Sequence, residues 1–474
     1  MMKHISLILL CLYNIILVTP GVTAEQRHPM PHPDKMIYQP LRFNPPQAQR
    51  YTLDNGITLY HLEDHELPLV SLSAVFRAGS VYDSAGKAGL AELTHRVMRS
   101  GGTSSLSGDA LDDMLAFHGI SLIFSADMDR GSSHLSVLKK DLDLGLNIFS
   151  QILMHPRFAE DKVQLAKDLY MEELRGILDD PPKYAFREFR KLIYTDNPRG
   201  ILASLHSLKE IQRSDLVNFH KRYFQPQNTI LAITGDVTAT EAIDLVRRYL
   251  GDWRGTDLPE KIPPPSSDKN GATYLLNKET PQSIIISGQL GPSKRDKDFH
   301  VFTVLDFILG GGGFRSRIFQ EIRSNRGLAY STGSYYKAAY DYGTVGIYAL
   351  TKSSSTMAVL SLMHDIIEDI KRKGITLQEL SWARKSINNS FIFSFQSADQ
   401  IASQQMMIEY DRLPEDFLIK YPEQIDKVTA EDLQRTARQY FQTKKAVTLI
   451  LGNGKDFDKP LSTWGDIIRI KGDL

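Results

Sequence analysis

The run Glu92-Leu93-Thr94-His95-Arg96 combines residue types that bind metals with one that repels them. Positions i and i+3 share a helix face, so Glu92 and His95 present a carboxylate and an imidazole together. Arg96 keeps its proton, which places a fixed positive charge beside them. Glu92 and Arg96 are spaced i, i+4 in the orientation that favours an ion pair. The spacing therefore predicts a salt bridge on this helix.

Arg323 and Tyr330 are two further side chains suited to catalysis, seven residues apart (330 − 323) and downstream of a glycine run at 310–313. Arginine offers a charged planar fork for a carbonyl or carboxylate, and tyrosine a hydrogen-bond donor for an oxyanion. The alternative is structural, a surface arginine on a helix and a core tyrosine at a strand start. The glycine run does not fit a phosphate-binding loop, because no Lys-Ser or Lys-Thr follows, and we interpret it as a tight turn.

Composition excludes several classes of protein. The chain has 474 residues, of which 42% are hydrophobic and 24% charged, as in folded globular proteins. Lys+Arg and Asp+Glu number 56 each, so the chain carries no charge signature for nucleic acid or an anionic membrane. The single cysteine, Cys11, excludes intramolecular disulfides and cysteine-ligated metal centres.

Residues 1–24 have the pattern of a secretory signal peptide. Lys3 precedes an apolar stretch at 5–18, a Pro-Gly pair follows, and small residues lead to Ala24. The apolar stretch is shorter than the roughly 20 residues that a spanning helix needs. We expect export with cleavage after Ala24, into the periplasm if the source is a Gram-negative bacterium, and a mature chain without a transmembrane segment. A membrane anchor is the alternative.

The remainder divides into two similar halves. Residues 25–49 are rich in Pro, His and Gln and predict an extended lead-in. Three consecutive prolines at 263–265 indicate a linker at 256–271, since such a run cannot continue a helix or enter a sheet. The halves are then residues 50–255 and 272–474.

An internal repeat relates these halves. In each, a helix ending in Tyr-Phe-Gln precedes a β-branched strand and a glycine, at an offset of 217 residues (432 − 215 and 452 − 235). The matched residues are Asp215, Leu216, Tyr223, Phe224, Gln225 and Gly235, against Asp432, Leu433, Tyr440, Phe441, Gln442 and Gly452. The pattern predicts an α+β protein of two duplicated halves, with largely antiparallel sheets flanked by helices and joined by the Pro-rich linker.

Short motifs follow one another in a characteristic order along both halves. Those of the first half are Asn55-Gly56-Ile57-Thr58, Leu67-Pro68, Gly79-Ser80-Val81-Tyr82, Gly89-Leu90-Ala91, Gly101-Gly102-Thr103, Glu172-Glu173-Leu174 and Asp179-Asp180-Pro181. Those of the second are Leu309-Gly310-Gly311-Gly312-Gly313-Phe314, Ser316-Arg317-Ile318-Phe319, Glu321-Ile322-Arg323 and Arg326-Gly327-Leu328-Ala329-Tyr330. In these motifs the chain resembles peptidase family M16, the insulinase/pitrilysin-like metalloendopeptidases, over residues 50–460.

The resemblance implies a lost zinc site. Active members carry H-x-x-E-H on the helix after the Gly-Leu-Ala motif, with two zinc-binding histidines, a glutamate base and a further glutamate ligand downstream. Here Glu92 and Arg96 stand at the histidine positions, His95 at the base position and Glu173 at the downstream ligand position. We therefore expect this chain to bind no zinc and to be inactive alone. A site improvised from Glu92, His95 and Glu173 is the alternative.

The resemblance also implies that Arg323 and Tyr330 reach a zinc centre, where they hold substrate and stabilise charge on the attacked carbonyl. It places Gly311 and Gly312 near the bound substrate. Because the chain keeps this pair without the zinc ligands, we expect a heterodimer with a zinc-bearing M16 subunit that carries H-x-x-E-H and hydrolyses peptides. The alternative is a non-catalytic structural or peptide-holding protein of the same fold.

Overall fold

The structure is a computed structural model that describes residues 44–255, 259–266 and 271–472. These residues belong to one compact unit. The predicted signal peptide and most of the predicted lead-in lie outside the described residues. Within the described ranges, no helix has the length and apolar character needed to cross a membrane.

The first half is built on a six-stranded sheet. Its strands are β1 (Gln49–Thr52), β2 (Thr58–Glu63), β3 (Leu69–Phe76), β4 (Ser121–Ala126), β5 (Gly131–Leu138) and β6 (Thr229–Gly235). They lie in the order β1-β2-β6-β3-β5-β4. Neighbours are antiparallel except β2 and β6. The alternating burial along β5 shows a strand with one face in the core.

Several helices of the first half pack on this sheet, and one of them carries Glu92, His95 and Arg96. They are α1 (Leu90–Ser100), α2 (Gly108–His118), α3 (Leu142–Met154), α4 (Glu160–Ile177), α5 (Pro181–Ile193), α6 (Leu205–Glu210), α7 (Arg213–Tyr223) and α8 (Ala239–Leu250). Leu90, Leu93 and Val97 bury one face of α1, because residues three and four apart lie on the same side of a helix. This helix packs on α4, α7 and β4.

The second sheet repeats the order of five strands of the first and differs in its outer strand. Its strands are β7 (Thr273–Asn277), β8 (Gln282–Gly291), β9 (Ala329–Ala338), β10 (Gly343–Lys352), β11 (Val447–Gly452) and β12 (Ile467–Ile470). They lie in the order β12-β7-β11-β8-β10-β9, with β12 in the place that β1 has in the first sheet. Strand β7 is parallel to both of its neighbours, and the remaining pairs are antiparallel. The predicted α+β class with two related halves is confirmed, and each sheet is mixed with a majority of antiparallel pairs.

Helices also flank the second sheet. They are α9 (Phe299–Asp306), α10 (Thr356–Lys373), α11 (Leu377–Phe391), α12 (Ala398–Tyr410), α13 (Phe417–Lys427) and α14 (Ala430–Tyr440). Two π-helical segments, Phe307–Gly311 and Phe319–Ser324, lie between α9 and β9. Such wide turns are rare in proteins and occur frequently at functional sites.

The two halves exchange one helix each. Helix α5 packs on β8 and β11 of the second sheet, and α12 packs on β2, β3 and β6 of the first. The repeat offset of 217 relates both ends of these helices (398 − 181 and 410 − 193). Phe189 of α5 lies in the same apolar cluster as Ile284 and Ile286, and Met406 of α12 in the same cluster as Val75 and Ala232. Each half keeps a large core of its own, and these two smaller clusters are shared between the halves.

Polar contacts add to this shared interface. Glu409 of α12 accepts hydrogen bonds of 2.7 and 2.8 Å from the guanidinium of Arg50 and one of 2.6 Å from the Tyr60 hydroxyl. Within the described part of the linker, the Pro263 carbonyl accepts hydrogen bonds from Arg199 at 2.9 Å and Asn197 at 3.1 Å. The two hydrogen bonds to the Pro263 carbonyl fasten the linker to the first half.

Candidate functional site

The helix positions singled out in the sequence form an ion-pair cluster in the first half. The Arg96 guanidinium donates through Nε to Glu92 at 2.8 Å, and through Nη1 and Nη2 to the two carboxylate oxygens of Glu173, each at 2.8 Å. Its Cζ lies 4.6 Å from the ring centroid of Tyr170. The structure thus brings together three of the four predicted positions, two from α1 and one from α4. We call Glu92, Arg96, Tyr170 and Glu173 the arginine clamp.

The electrostatics of the clamp favour charged side chains. The hydrogen bonds from Arg96 lower the pKa of Glu173. In turn, the hydrogen bonds to Glu173 and, to a smaller extent, to Glu92 raise the pKa of Arg96. The side chains of Arg96, Glu92 and Glu173 are 31%, 28% and 54% exposed, so water screens the cluster only in part. Tyr170 was not identified from the sequence, although its spacing of three from Glu173 places both on one face of α4.

The arginine clamp does not fit a zinc ion. Zinc takes about four ligands from Cys, His, Asp or Glu, and the guanidinium of Arg96 has no lone pair to offer. Both carboxylates of the clamp already accept hydrogen bonds from this one cation. Among the residues that the structure describes, no three His, Cys, Asp or Glu side chains are grouped to hold a metal ion.

His95 does not join this cluster, because its side chain points into the core and is 1% exposed. Its Nδ1 donates to the Ala91 carbonyl at 2.8 Å, and its Nε2 is buried with no hydrogen-bond partner. Phe224 lies between two imidazoles, with ring centroids 5.1 Å from His95 and 5.0 Å from His220. Burial lowers the pKa of each histidine to about 4. The alternative metal site from Glu92, His95 and Glu173 is therefore not assembled.

Asp83 positions the start of α1 and was missed by sequence analysis. Its two carboxylate oxygens accept hydrogen bonds of 2.7 Å from the amides of Gly89 and Ala91. Burial raises the pKa of Asp83 to about 7, although these amide donors oppose the shift. A carboxylate seven residues before the first helical residue, Leu90, has no standard capping spacing, which explains why the sequence pattern gave no signal for it.

Arg323 lies on the π-helical segment Phe319–Ser324 and is exposed. Its Cζ stands 4.9 Å from the ring centroid of Phe319. Within the described residues its guanidinium forms no ion pair, whereas Arg326 three positions on pairs with Glu321. The structure therefore presents the Arg323 charge at the surface without a carboxylate partner in the described part of the chain.

Tyr330 is the extra residue of a β-bulge on the edge strand β9. Thr351 of β10 is opposite Ala329 and Leu350 is opposite Ser331, so Tyr330 has no partner in the register. Its side chain is 52% exposed, and its hydroxyl donates a long hydrogen bond of 3.4 Å to Gln282. Bulges redirect side chains and are enriched next to active sites. Both candidate catalytic residues thus lie on irregular backbone.

The glycine run forms the turn that precedes these residues. A Cβ on Gly312 would lie 2.6 Å from both the Trp382 ring and the Phe307 carbonyl oxygen, and Gly313 has a φ of +67°. A side chain is therefore excluded at Gly312 and strained at Gly313. Gly311 is exposed at the same turn. The interpretation of a tight turn agrees with this geometry.

The structure does not join the two sets of candidate residues. The described contacts of Arg96 lie in the first half, and those of Arg323 and Tyr330 lie in the second. No hydrogen bond or ion pair among the described residues links one set to the other.

Comparison with known proteins identifies the family. Residues 61–201 match the family model described as insulinase (peptidase family M16), and residues 210–387 match the model described as peptidase M16 inactive domain. An uncharacterized zinc protease of Mycobacterium leprae is 26% identical over 85% of this chain and 91% of its own. The uncharacterized zinc protease YmxG of Bacillus subtilis is 23% identical over 86% of this chain and 98% of its own.

Solved structures share the fold. A peptidase M16 inactive domain from Pseudomonas fluorescens superimposes with a TM-score of 0.80 at 23% identity, over 86% of this chain and 98% of its own. A protease from Helicobacter pylori superimposes with a TM-score of 0.78 at 21% identity, over 86% of this chain and 99% of its own. The periplasmic protease PqqL from Escherichia coli superimposes with a TM-score of 0.73 at 16% identity, over 86% of this chain and 45% of its own. The fold of two mixed six-stranded sheets flanked by helices is thus the one that these solved structures share. Because the two M16 family models together match more than half of the residues, at 61–201 and 210–387, this chain belongs to peptidase family M16.

Proposed function

We propose that this chain is an M16 peptidase subunit without zinc of its own, which supplies Arg323 and Tyr330 to a zinc-bearing partner subunit for peptide hydrolysis. The observation that carries the proposal is the arginine clamp. A permanently charged guanidinium lies between the carboxylates of Glu92 and Glu173, and His95 is buried away from them. The hydrolytic centre must then come from a second subunit that carries H-x-x-E-H.

The two exposed side chains of the second half support this division of labour. Arg323 offers a planar fork that would hold a carbonyl or carboxylate of the peptide. The Tyr330 hydroxyl would donate to the oxygen on which negative charge develops, and its bond of 3.4 Å to Gln282 is long enough to be exchanged readily. Gly311 and Gly312 would let the peptide backbone approach the turn beside them.

We also propose that the chain acts after export. The apolar stretch at 5–18 with small residues up to Ala24 supports this proposal. So does the structural neighbour from Escherichia coli, which is described as a periplasmic protease. Amino-terminal sequencing of the protein recovered from cells tests it, with a start at Glu25 expected. An intact amino terminus on membrane-bound protein would favour the anchor instead.

The experiment that tests the main proposal compares the chain alone with a mixture. The full chain is purified after exposure to zinc, its metal content is measured, and cleavage of a quenched fluorescent peptide is followed with and without an H-x-x-E-H subunit of similar size from the same source. We expect no stoichiometric zinc and no cleavage by the chain alone, and cleavage by the mixture above that of the partner alone. A mixture no faster than the partner alone would favour a structural or peptide-holding role.

A further inference from the structure

A compact patch of aromatic rings and arginines lies beside the glycine turn. The Phe314 side chain is 73% exposed and packs edge-to-face on Phe319, with ring centroids 4.8 Å apart and planes at 79°. Arg323 stacks on the same Phe319 ring. The Cζ of Arg315 lies 5.1 Å from the ring of Trp382, which also contacts the turn. We call Phe314, Arg315, Phe319 and Arg323 the aromatic–arginine patch.

The backbone holds the exposed Phe314 in place. Residues Gly313–Arg315 form a short 3-10 turn, and the Ser316 hydroxyl donates to the Gly313 carbonyl at 2.6 Å. The side-chain amide of Gln320 donates to the Phe314 carbonyl. A large apolar side chain on a fixed turn loses little conformational freedom when a ligand covers it. Rigid aromatic side chains beside arginine are the residues that dominate binding energies at interfaces.

Among the described residues, no carboxylate lies within ion-pair distance of the two arginines of the patch. Arg317 pairs with Glu379 at 2.6 Å, and Arg326 pairs with Glu321. Among the described residues, Arg315 and Arg323 form no ion pair and lie instead against aromatic rings. An arginine whose guanidinium is stacked on a ring keeps its N–H edge available for a carboxylate. The complementary ligand therefore carries an apolar group and a negative charge side by side.

We propose that the aromatic–arginine patch is a subsite for a peptide segment in which an apolar side chain stands next to a carboxylate. The apolar side chain covers Phe314 and Phe319, and the carboxylate meets Arg315 and Arg323. The carboxylate belongs to an acidic side chain or to the carboxyl terminus of the peptide. This inference rests on the proposed function for Arg323 and adds the class of peptide that the site selects.

A binding measurement on the full chain alone tests this subsite. Fluorescence anisotropy is recorded with fluorescein-labelled decapeptides of Gly and Ser that carry a central Phe-Glu pair, or Ala-Glu or Phe-Gln at the same place. Because an aromatic side chain is buried, we expect the Phe-Glu peptide to bind about tenfold more tightly than the Ala-Glu peptide. Exposed charge pairs contribute less, so replacing Glu by Gln should weaken binding about threefold. A peptide ending in Phe, compared with its amide, distinguishes a terminal from an internal carboxylate.

Variants connect the preference to the patch. Phe314→Ala should remove the preference for Phe, and Arg323→Ala the preference for Glu. Phe117→Ala changes an even more exposed phenylalanine, 86% exposed, in the first half and should leave the peptide preference unchanged. Arg326→Ala, whose arginine is paired with Glu321, is the matched control for Arg323→Ala. Equal binding of all peptides, or equal loss in Phe314→Ala and Phe117→Ala, would overturn the subsite.

The outcome is separable from that of the proposed function, because no partner and no cleavage enter the binding measurement. Peptide preference without cleavage by any mixture would keep the subsite and reject the shared catalytic site. If Phe314→Ala abolished association with the partner while peptide binding stayed unchanged, the patch would be a subunit contact and the proposal would be wrong.

Discussion

The guanidinium of Arg96 forms two parallel hydrogen bonds, each 2.8 Å long, with the carboxylate of Glu173. This bidentate pair joins α1 to α4 at the positions that the family resemblance assigns to metal ligands. The pair therefore joins the same two helices that a metal ion bound at those positions would join.

Loss of the clamp should destabilise the fold moderately. Arg96→Ala leaves Glu92 and Glu173 without their shared cation, and we expect a loss of about 1 kcal/mol in the free energy of unfolding because water partly screens the cluster. Arg99→Ala on the same helix removes a looser pair of 3.2 Å with Asp112 and serves as control. Urea unfolding measures both. Equal effects of the two substitutions would contradict a special role for the Arg96–Glu173 pair.

Replacing the clamp by histidines should create a metal site. In the double variant Glu92→His with Arg96→His, two imidazoles four residues apart on α1 face Glu173. The two imidazoles and the Glu173 carboxylate together supply three zinc ligands. We expect the purified variant to retain one zinc per chain by elemental analysis. The wild-type chain should retain none, and adding Glu173→Gln to the double variant should remove most of the metal. One tightly held zinc in the wild type would contradict this interpretation of the clamp.

Burial of His95 should make the fold sensitive to acid. Its pKa falls from an ordinary value of 6.5 to about 4 because the ring is buried, so the unfolded chain binds more protons between these values. The contribution of neutral, buried His95 to the free energy of unfolding is therefore complete above pH 6.5. It is lost as the pH falls towards 4, and the loss amounts to about 3 kcal/mol. His95→Leu should flatten this part of the stability profile, whereas His155→Leu at an exposed position should not. Parallel profiles for wild type and His95→Leu would be inconsistent with this account.

The exchanged helices should keep the halves together after the linker is cut. A protease site inserted at 259–266 allows cleavage within the described linker. We expect the two fragments to elute together in gel filtration, because α5 and α12 each pack on the opposite sheet. Met406→Asp, which places a charge in one of the shared clusters, should separate them. Separate elution of the unsubstituted fragments would show that the exchanged helices do not hold the halves.

Local patterns in the sequence predicted a large part of this arrangement. The repeat at a fixed offset predicted two related α+β halves, because duplicated elements keep their spacing, and the i, i+4 spacing predicted the ion pair of Glu92 with Arg96. The inward orientation of His95 depends on which face of α1 meets the sheet. The bulge at Tyr330 depends on register with β10. The helix exchange depends on contacts between residues far apart in the chain, such as those of α12 (Ala398–Tyr410) with β2 (Thr58–Glu63), which no local pattern encodes.

The most direct measurement is the turnover of the reconstituted enzyme with Tyr330→Phe and Arg323→Ala. Tyr330→Phe removes one donor to a developing oxyanion, and we predict a fall in kcat on the order of 10²–10³ with the complex intact. Arg323→Ala should also raise KM, because the fork holds substrate before the reaction. Tyr340→Phe, which loses only a contact to Arg295, is the matched control and should leave kcat unchanged. Full turnover in complexes that contain Tyr330→Phe and Arg323→Ala would contradict a shared catalytic site.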